Sequence, residues 1–456
     1  MQAVATTKEE EELELLLTDN QQLQLLGQGT YGCAFYPEIN CKTHHIVAGS
    51  SRNYLSKIQF QDESLTREIE IGQRIVKRVP NYRYYYAPII ESCPVQLANL
   101  RQNKIKQCNV LTKATLSNRP IMSSKVPYLG KLTLEKYFTS LFQKQHCTSK
   151  SANRRLLPPE TSSSSEQQQC VTMTVTYIKK LVNSYLYLIP SFDTLNTKVG
   201  VVHLDVKGDN IMYDTKHHLP ILIDFGMSYC IEWLQLPAYL SFKYPFGVES
   251  FSYSPWCIEV SLLTHLARYL RPKQQSQTIN RHGGYVDETL LKSTTPPELL
   301  QTFTSLCADF VKSNINSRQV FTDAERHTLQ SNLQNWIVGL AQHKTLESLW
   351  TSLLASYRTW DLYAVAMMYL YEMEDSGLLL IYPSGSTDLQ ATPVRQFLNQ
   401  LKHVILATPD QRPTGKQMVQ DARALFTKMT LTNYLQITSA NLQARKKARR
   451  ILLLTT

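Results

Sequence analysis

The most informative part of this chain is the stretch His203-Leu-Asp-Val-Lys-Gly-Asp-Asn210-Ile-Met-Tyr, followed shortly by Ile221-Leu-Ile-Asp224-Phe-Gly226. Its pattern predicts a strand end, a polar loop, a short strand over Ile211–Tyr213, a turn, a second strand over Ile221–Ile223 and another polar loop. Loops at the ends of short buried strands commonly hold catalytic groups. A polar β-hairpin with a glycine turn is the simpler interpretation of the same pattern.

Four polar side chains in these loops have the chemistry of phosphoryl transfer. Asp205 can accept a hydroxyl proton, and Lys207 can neutralise charge on the group being transferred. Asn210 and Asp224 offer the hard oxygen ligands that Mg²⁺ prefers. Two carboxylates, an amide and an ammonium at this spacing therefore favour a phosphotransferase.

At this point the sequence resembles the eukaryotic-type protein kinases. The motif from His203 to Asn210 matches their catalytic loop, and the triplet from Asp224 to Gly226 matches their metal-binding triplet. The resemblance implies ATP and Mg²⁺ as cofactors, and Lys207 favours serine/threonine over tyrosine specificity within it. It also gives structural roles to three residues of these motifs: His203, Phe225 and Gly226.

Length and composition are those of a protein with a sizeable core. The chain has 456 residues, of which 43% are hydrophobic. No apolar run approaches the roughly 18 residues of a membrane span, and the start of the chain lacks the pattern of a secretory signal. Nine cysteines without a CxxC pair predict reduced thiols. We therefore expect an intracellular, cytoplasmic protein without a transmembrane segment.

The net charge of +11 is unevenly distributed. Residues 1–14 are acidic, whereas the end of the chain is basic. The basic residues of this tail are Arg445, Lys446, Lys447, Arg449 and Arg450. One interpretation is a solvated helix end; the other is a contact with nucleic acid or another acidic partner.

A glycine-rich turn near the start has a strand pattern on both sides. Gly27, Gly29 and Gly32 allow the backbone to lie close over phosphates and to present N–H groups to them. A dinucleotide-binding fold would have a helix directly afterwards, so the second strand favours the kinase arrangement. Ala34 stands where the kinase pattern usually has valine above the nucleotide base.

A lysine and a glutamate downstream complete the expected nucleotide site. Lys57 lies in a predicted strand over Tyr54–Phe60, where it is the natural candidate to hold the α- and β-phosphates. The next segment, Glu63–Val79, has helical periodicity. Glu68 shares the inward face of that helix and is the better partner for Lys57, with Glu70 as the alternative.

The segments between this helix and the catalytic loop are less regular. We expect strands over Ala87–Glu91, Asn109–Lys113 and Ile121–Tyr128. Val126–Gly130, followed by Thr133–Phe138, resembles the kinase hinge and the helix after it. The low-complexity segment 143–170 predicts a disordered loop. A long amphipathic helix is expected over Thr172–Pro190.

Three later residues match structural positions of the family. Glu259 ends a degraded match to the Ala-Pro-Glu element, and the resemblance implies that it pairs with Arg412. Asp361 heads a predicted buried helix whose aspartate, in kinases, anchors the catalytic-loop backbone. Between them lie amphipathic segments that predict an inserted group of helices: Leu262–Leu270, Pro297–Ser313 and Thr322–Ala341.

The predicted fold is α+β, a two-lobed protein kinase fold with a small, mainly antiparallel β lobe plus one helix and a large, mainly helical lobe carrying a helical insertion. The expected organisation is an acidic tail (1–20), a small lobe (21–128), a large lobe (129–434) with inserts at 143–170 and about 262–345, and a basic tail (435–456).

The expected activity is transfer of the γ-phosphoryl group of ATP to Ser/Thr hydroxyls of protein substrates. A narrower similarity is to protein kinases of large eukaryotic DNA viruses. The two rival hypotheses are a catalytically weak kinase-fold scaffold and a nucleic-acid-associated protein acting through its basic tail.

Overall fold

The computed structural model describes residues 24–29, 32–38, 53–95, 107–117, 119–143, 164–235, 253–270, 288–315, 320–376, 378 and 393–426. The expected acidic tail (1–20) and basic tail (435–456) lie outside the described residues, as does most of the low-complexity segment.

The strands of the described part are short. They are β1 (Gln24–Gln28), β2 (Gly32–Tyr36), β3 (Tyr54–Phe60), β4 (Glu91–Val95), β5 (Ile121–Pro127), β6 (Val201–Val202), β7 (Ile211–Asp214), β8 (Leu219–Leu222) and β9 (Tyr229–Cys230). Five of them form one antiparallel sheet in the order β1-β2-β3-β5-β4, while β6 pairs with β9 and β7 with β8.

The helices of the described part follow in the same order. They are α1 (Glu63–Arg78), α2 (Asn109–Ser117), α3 (Leu134–Gln143), α4 (Ser164–Thr194), α5 (Ile258–Tyr269), α6 (Glu288–Lys292), α7 (Pro297–Phe310), α8 (Asp323–Ala341), α9 (Leu346–Leu354), α10 (Trp360–Asp375), α11 (Pro393–Leu406) and α12 (Gly415–Phe426).

The chain divides into two compact units. The first comprises the residues up to Thr133 together with Asn210–Ser228, and the second comprises Leu134–Asp209 together with the residues from Tyr229 onward. The first contains the five-stranded sheet, α1, α2 and the β7–β8 hairpin, and the second contains the helices from α3 to α12. The protein is therefore α+β, with a small antiparallel sheet in one unit and a mainly helical second unit.

The β7–β8 hairpin belongs to the first unit, although the expected boundary placed it in the large lobe. Backbone hydrogen bonds explain this position. Ala87 N donates to Leu222 O at 2.9 Å, and Leu222 N donates to Tyr85 O at 2.9 Å. These bonds fasten β8 to the segment that precedes β4.

The two faces of the sheet in the first unit have different neighbours. Alternate residues of a strand point to opposite faces, and Cys33, Phe35 and Ile58 join α2 in a buried apolar cluster. Lys57, the neighbour of Ile58, points to the face that α1 covers, where its side chain contacts a glutamate of that helix. The helix α1 begins where the Asp62 side chain accepts a hydrogen bond from Leu65 N at 3.0 Å.

The prediction of a strand over Asn109–Lys113 was wrong, because this segment forms the helix α2. Its buried residues Val110, Leu111 and Ala114 recur at helical spacing, and they pack into the cluster on the sheet. A run this short is apolar enough to suit either a strand or a helix, so its pattern does not separate the two. The described residues of the first unit consequently form two α-helices where one was expected. The strand expected over Ala87–Glu91 is likewise displaced, since β4 begins at Glu91.

A disulfide joins Cys33 of β2 to Cys108, the residue before α2. Both sulfurs are buried within the apolar cluster. Cys93 is also disulfide-bonded. The expectation that the cysteines are reduced thiols is therefore wrong for these residues, whereas Cys257 and Cys307 are buried thiols.

The long helix of the second unit is longer than its predicted range. The helix α4 begins at Ser164, so the last residues of the segment expected to be a disordered loop are helical. It also continues through Pro190 to Thr194 and is followed by a π-helical turn over Leu195–Val199.

The segments that were expected to form a helical insertion are helical in the second unit. The helix α7 packs against α8 and α5, and α9 packs against α5. Thr322 caps α8 in a reciprocal capping box with Glu325. The observed helices overlap all three predicted amphipathic segments.

A buried ion pair links two distant parts of the second unit. Arg412 Nη1 and Nη2 donate to Glu259 Oε1 and Oε2 at 2.6 and 2.8 Å, and Ser356 Oγ donates to the same carboxylate at 2.8 Å. Glu259 has no exposed surface. Breaking such a pair from one side leaves an unpaired buried charge, which costs about 3–5 kcal/mol.

Replacing Cys108 by serine should destabilise the first unit. The disulfide closes a loop with a sequence separation of 75, and for a loop of that length the chain-entropy model gives about 4 kcal/mol. We expect faster amide exchange in β2 and α2 and a lower melting temperature under non-reducing conditions.

The matched control is Cys307→Ser. Cys307 is a free, buried thiol on α7 of the second unit, so its replacement should leave exchange in β2 and α2 unchanged. If Cys108→Ser and the control gave the same exchange in these elements, the disulfide would have no structural role.

Candidate functional site

In the first unit, one lysine contacts two carboxylates that are distant in sequence. Lys57 Nζ lies 2.8 and 3.0 Å from the two carboxylate oxygens of Glu68, and 2.9 Å from Asp224 Oδ1. The three residues come from β3, from α1 and from the loop after β8. The side chain of Glu68 is 5% exposed and that of Asp224 is 37% exposed.

The ammonium of Lys57 is held in its charged form. Burial alone would lower its pKa, but the charges of Asp224 and Glu68 outweigh burial and raise the pKa above its ordinary value. Lys57 therefore carries a positive charge throughout the pH range in which proteins are usually assayed.

The structure distinguishes the two glutamates that the sequence left as alternatives. Glu68 is buried and contacts Lys57, whereas Glu70 accepts a hydrogen bond from Arg74 at 2.9 Å on the outer side of α1. Gln59, which sequence reasoning missed, also contributes, because its Nε2 donates to Glu68 Oε2 at 3.3 Å. Its position two residues after Lys57 on the same strand face is the signal that could have identified it.

Asn210 and Asp224 lie beside each other at the ends of the β7–β8 hairpin. Ile223 N donates to the Asn210 carbonyl at 3.0 Å, directly before Asp224. Asp224 has a left-handed backbone with φ of 60°, and its side chain accepts from Gly226 N at 3.4 Å. Phe225 is buried and meets the ring of Tyr86 edge-on at 6.4 Å.

The glycine-rich hairpin contains two kinds of glycine. A Cβ on Gly32 would lie 2.8 Å from Ile58 O, so packing against β3 requires glycine there. A Cβ on Gly27 or Gly29 would meet no described atom within 4 Å. Ala34 lies opposite Lys57 in the β2–β3 register.

In the second unit, the loop after β6 is held by a buried carboxylate. Asp361 Oδ2 accepts from His203 N at 2.9 Å and from Asn196 Nδ2 at 3.0 Å, and its Oδ1 accepts from Leu204 N at 3.1 Å. Leu204 is in the left-handed region with φ of 63°. This conformation is costly for a leucine, and the hydrogen bonds to Asp361 stabilise it.

The loop presents Asp205 and Lys207 together. Lys207 Nζ lies 3.0 Å from both carboxylate oxygens of Asp205, and the Tyr253 hydroxyl donates to Oδ1 of the same group. The Asp205 amide donates to His203 Nδ1 at 3.3 Å. His203 itself is fully buried and lies edge-on to Phe192. Neighbouring groups thus hold both the backbone amide and the carboxylate of Asp205 in place.

Sequence reasoning missed three residues that support this loop. Asn196 holds Asp361 from the π-helical turn, Tyr253 contacts Asp205, and Trp256 Nε1 donates to Leu204 O at 2.8 Å. No local motif marks Asn196 or Tyr253, whereas Trp256 lies within the degraded Ala-Pro-Glu match that the sequence did single out.

Comparison of the sequence with models of known protein families and with curated proteins gave no match. Within the described ranges, no cluster of three or more His, Cys, Asp or Glu side chains is arranged to hold a metal ion. No helix of those ranges is both long and apolar enough to cross a bilayer.

Asp361→Asn should loosen the loop that carries Asp205. The amide of asparagine keeps the volume of the side chain but offers one acceptor oxygen where three N–H groups now donate. Hydrogen bonds to a charged group contribute about 1.5–3 kcal/mol, so exchange of the Leu204 amide should accelerate by about 10- to 150-fold.

The control is Asp375→Asn at the exposed end of the same helix, which should leave that exchange unchanged. If the Leu204 amide of the Asp361→Asn variant exchanged at the same rate as in the unaltered protein, the loop would not depend on this carboxylate.

Proposed function

We propose that this chain is an ATP-dependent protein serine/threonine kinase that transfers the γ-phosphoryl group of ATP to Ser/Thr hydroxyls of protein substrates. The observation that carries the proposal is the contact of Lys57 with Glu68 and Asp224. The kinase resemblance assigns these three residues to one nucleotide site from their motifs alone. Glu68 and Asp224 are distant from each other in sequence, yet both contact the ammonium of Lys57. This shared contact supports the assignment.

The glycine-rich hairpin supports the same function. Gly27 and Gly29 lack a side chain at positions where the described chain leaves room for one. Packing against the described residues therefore does not account for these glycines, whereas close approach to the phosphates of a nucleotide would. Lys57, with its ammonium permanently charged, would hold the α- and β-phosphates.

Asn210 and Asp224 are the proposed Mg²⁺ ligands. Their oxygens are of the hard type that Mg²⁺ prefers, and they lie at neighbouring strand ends. A site with one carboxylate and one amide fits a metal that takes its other ligands from nucleotide phosphates and water. When bound, the ion would neutralise charge on the phosphates.

Asp205 and Lys207 are proposed to act at the acceptor. The substrate hydroxyl oxygen would attack the γ-phosphorus while its proton passes to Asp205. The bond from the γ-phosphorus to the bridging oxygen breaks, and ADP leaves with the electron pair. Lys207 would neutralise charge on the phosphoryl group during transfer.

The finer architectural and biological assignments belong to this proposal. The α+β chain is compatible with a two-lobed kinase fold. The similarity to kinases of large DNA viruses favours a viral enzyme acting inside a host cell, in the cytoplasm. The basic tail would add a contact with nucleic acid or an acidic partner.

The first test measures transfer from radiolabelled ATP to generic protein substrates in the presence of Mg²⁺. Asp205→Asn should reduce transfer by about 10²–10⁴-fold, since this is what a positioned base contributes. Its matched control is Asp209→Asn, an exposed carboxylate in the same loop, which should keep most of the activity. Asp224→Asn should abolish transfer and weaken Mg²⁺-dependent nucleotide binding.

Two outcomes would contradict these roles. Equal activity of the Asp205 and Asp209 variants would remove Asp205 as the base, and a fully active, Mg²⁺-dependent Asp224→Asn variant would remove Asp224 as a metal ligand. Mg²⁺-dependent nucleotide binding by the unaltered chain with no transfer to any substrate would favour the kinase-fold scaffold.

The second test separates binding from stability at the lysine. Lys57→Met should abolish transfer, and it should also lower the melting temperature because Glu68 is left as a buried unpaired charge. The double variant Lys57→Met/Glu68→Gln removes both charges, so it should recover stability without recovering activity. Nucleotide affinity and melting are measured in parallel.

Glu68→Gln alone should reduce activity less than Lys57→Met does. Glu70→Gln is the control, since Glu70 pairs with Arg74 on the outer side of the helix. A larger loss of activity in the Glu70 variant than in the Glu68 variant would transfer the role of ion partner to Glu70.

A further inference from the structure

Gln59 is a buried polar residue of β3 that lies beside the contact between Lys57 and Glu68. Only 4% of its surface is exposed. Because alternate residues of a strand share a face, Gln59 lies on the same side of the sheet as Lys57. The strand β3 is the middle one of the five and pairs with β2 and β5, so hydrogen bonds on both edges hold its backbone. Gln59 therefore has a defined position relative to Lys57.

The orientation of the Gln59 amide is set by Glu68. Gln59 Nε2 donates to Glu68 Oε2 at 3.3 Å, while Lys57 Nζ lies 2.8 and 3.0 Å from the two oxygens of the same carboxylate. An ionised carboxylate only accepts hydrogen bonds, so the amide nitrogen and not the amide oxygen has to face it. Within the described part of the chain, the donors to Glu68 are thus two alternate residues of one strand.

The other end of the amide has no partner among the described residues. Gln59 Oε1 is buried, and no donor of those residues reaches it. A buried amide oxygen without a donor costs free energy, whereas an apolar side chain such as leucine would fill a similar space without that cost. Packing against the described residues therefore does not favour a glutamine at this position. The hydrogen bond to Glu68 does.

Gly32 of the glycine-rich hairpin leaves room for the Gln59 side chain. The two residues lie opposite each other in the β2–β3 register. A Cβ on Gly32 would lie 3.2 Å from Gln59 Cβ and 3.4 Å from Gln59 Oε1. The β2 arm of the hairpin therefore confines the Gln59 side chain, while Glu68 binds its nitrogen.

We infer that Gln59 is a positioning residue, which orients the Glu68 carboxylate toward Lys57 and so fixes the ammonium for the phosphates of the nucleotide. The inference rests on the proposed kinase function and deepens it. Lys57 also contacts Asp224 at 2.9 Å. With the lysine as its only donor, the Glu68 carboxylate could follow the ammonium toward Asp224. A second donor on the paired strand β3 keeps the carboxylate in place, so Gln59 acts on the reaction through Glu68 and Lys57.

The first test is the kinetics of Gln59→Leu with ATP and a serine peptide. We expect kcat/KM for ATP to fall about 10-fold, the lower end of the effect of a hydrogen bond to a charged group. The KM for the peptide should not change, because Lys57 acts on the nucleotide. The matched control is Gln61→Leu, the same substitution at an exposed glutamine two residues further along, which should keep full activity. Unchanged kcat/KM for ATP in Gln59→Leu would overturn the inference.

A second comparison shows whether the effect passes through Glu68. In a Glu68→Leu background the Gln59 nitrogen has lost its acceptor, so Gln59→Leu should cause no further loss of kcat/KM. Two residues that act through one contact have non-additive effects, whereas independent residues have additive ones. If Gln59→Leu lowered kcat/KM by the same factor in both backgrounds, Gln59 would not act through Glu68, and the inference would be wrong.

Melting of the same four proteins without nucleotide separates this inference from the proposed function. Gln59→Leu should lower the melting temperature of the otherwise unaltered chain, because Glu68 loses a donor. In the Glu68→Leu background it should raise the melting temperature, because there it removes a buried amide whose two ends are both unpaired. A packing role would give a change of the same sign in both backgrounds, which would overturn the inference. A chain without any transfer would overturn the kinase proposal. The reversal of sign would then still support the role of Gln59 in holding Glu68, and its absence would overturn that role as well.

Discussion

The ammonium of Lys57 holds together three elements of the first unit. It brings together a strand, a helix and the loop after a hairpin, each of which contributes one charge. Because Glu68 is buried and Asp224 is 37% exposed, the two carboxylates are not equivalent. Glu68 is enclosed with the lysine inside the protein, whereas Asp224 can also face another cation. The left-handed backbone of Asp224 is a strained conformation, and the lysine contact helps to hold it.

In the second unit the charged group that holds separate segments together is an anion, the Asp361 carboxylate. Asp361 is buried, and among the described residues its oxygens accept from backbone and side-chain amide N–H groups. Its place in the first turn of α10 adds the favourable field of the helix N-terminus. Because N–H groups stabilise the Asp361 carboxylate, it holds the loop backbone without taking Lys207 away from Asp205. In this unit, the carboxylate that holds the loop backbone is therefore distinct from the Asp205–Lys207 pair that the loop presents.

The elements with strong patterns could be predicted from the sequence, and those that depend on tertiary contacts could not. The strand that carries Lys57 and the helix that carries Glu68 matched their predicted ranges to within a residue, because an apolar face of clear period determines each. The choice of Glu68 followed from the same face. The helix α2 was taken for a strand, since its apolar run suits both. The bond between Cys33 and Cys108 spans 75 residues and follows no spacing rule.

The helix α2 covers one face of the sheet in the first unit, and the other face carries Lys57 and its contact with Glu68. On β2 and β3 the residues Phe35 and Ile58 point into the cluster that α2 covers, while Ala34 and Lys57 lie in register on the other face. A strand whose two faces must both be satisfied needs a covering element on each side. Asn109 N at the start of α2 also donates to the Gln28 side chain at 3.1 Å. Because the disulfide holds β2 as well, α2 anchors both arms of the glycine-rich hairpin through the apolar face. The polar face of the sheet is therefore left to Lys57 and its carboxylates, and none of those charges is needed for packing against α2.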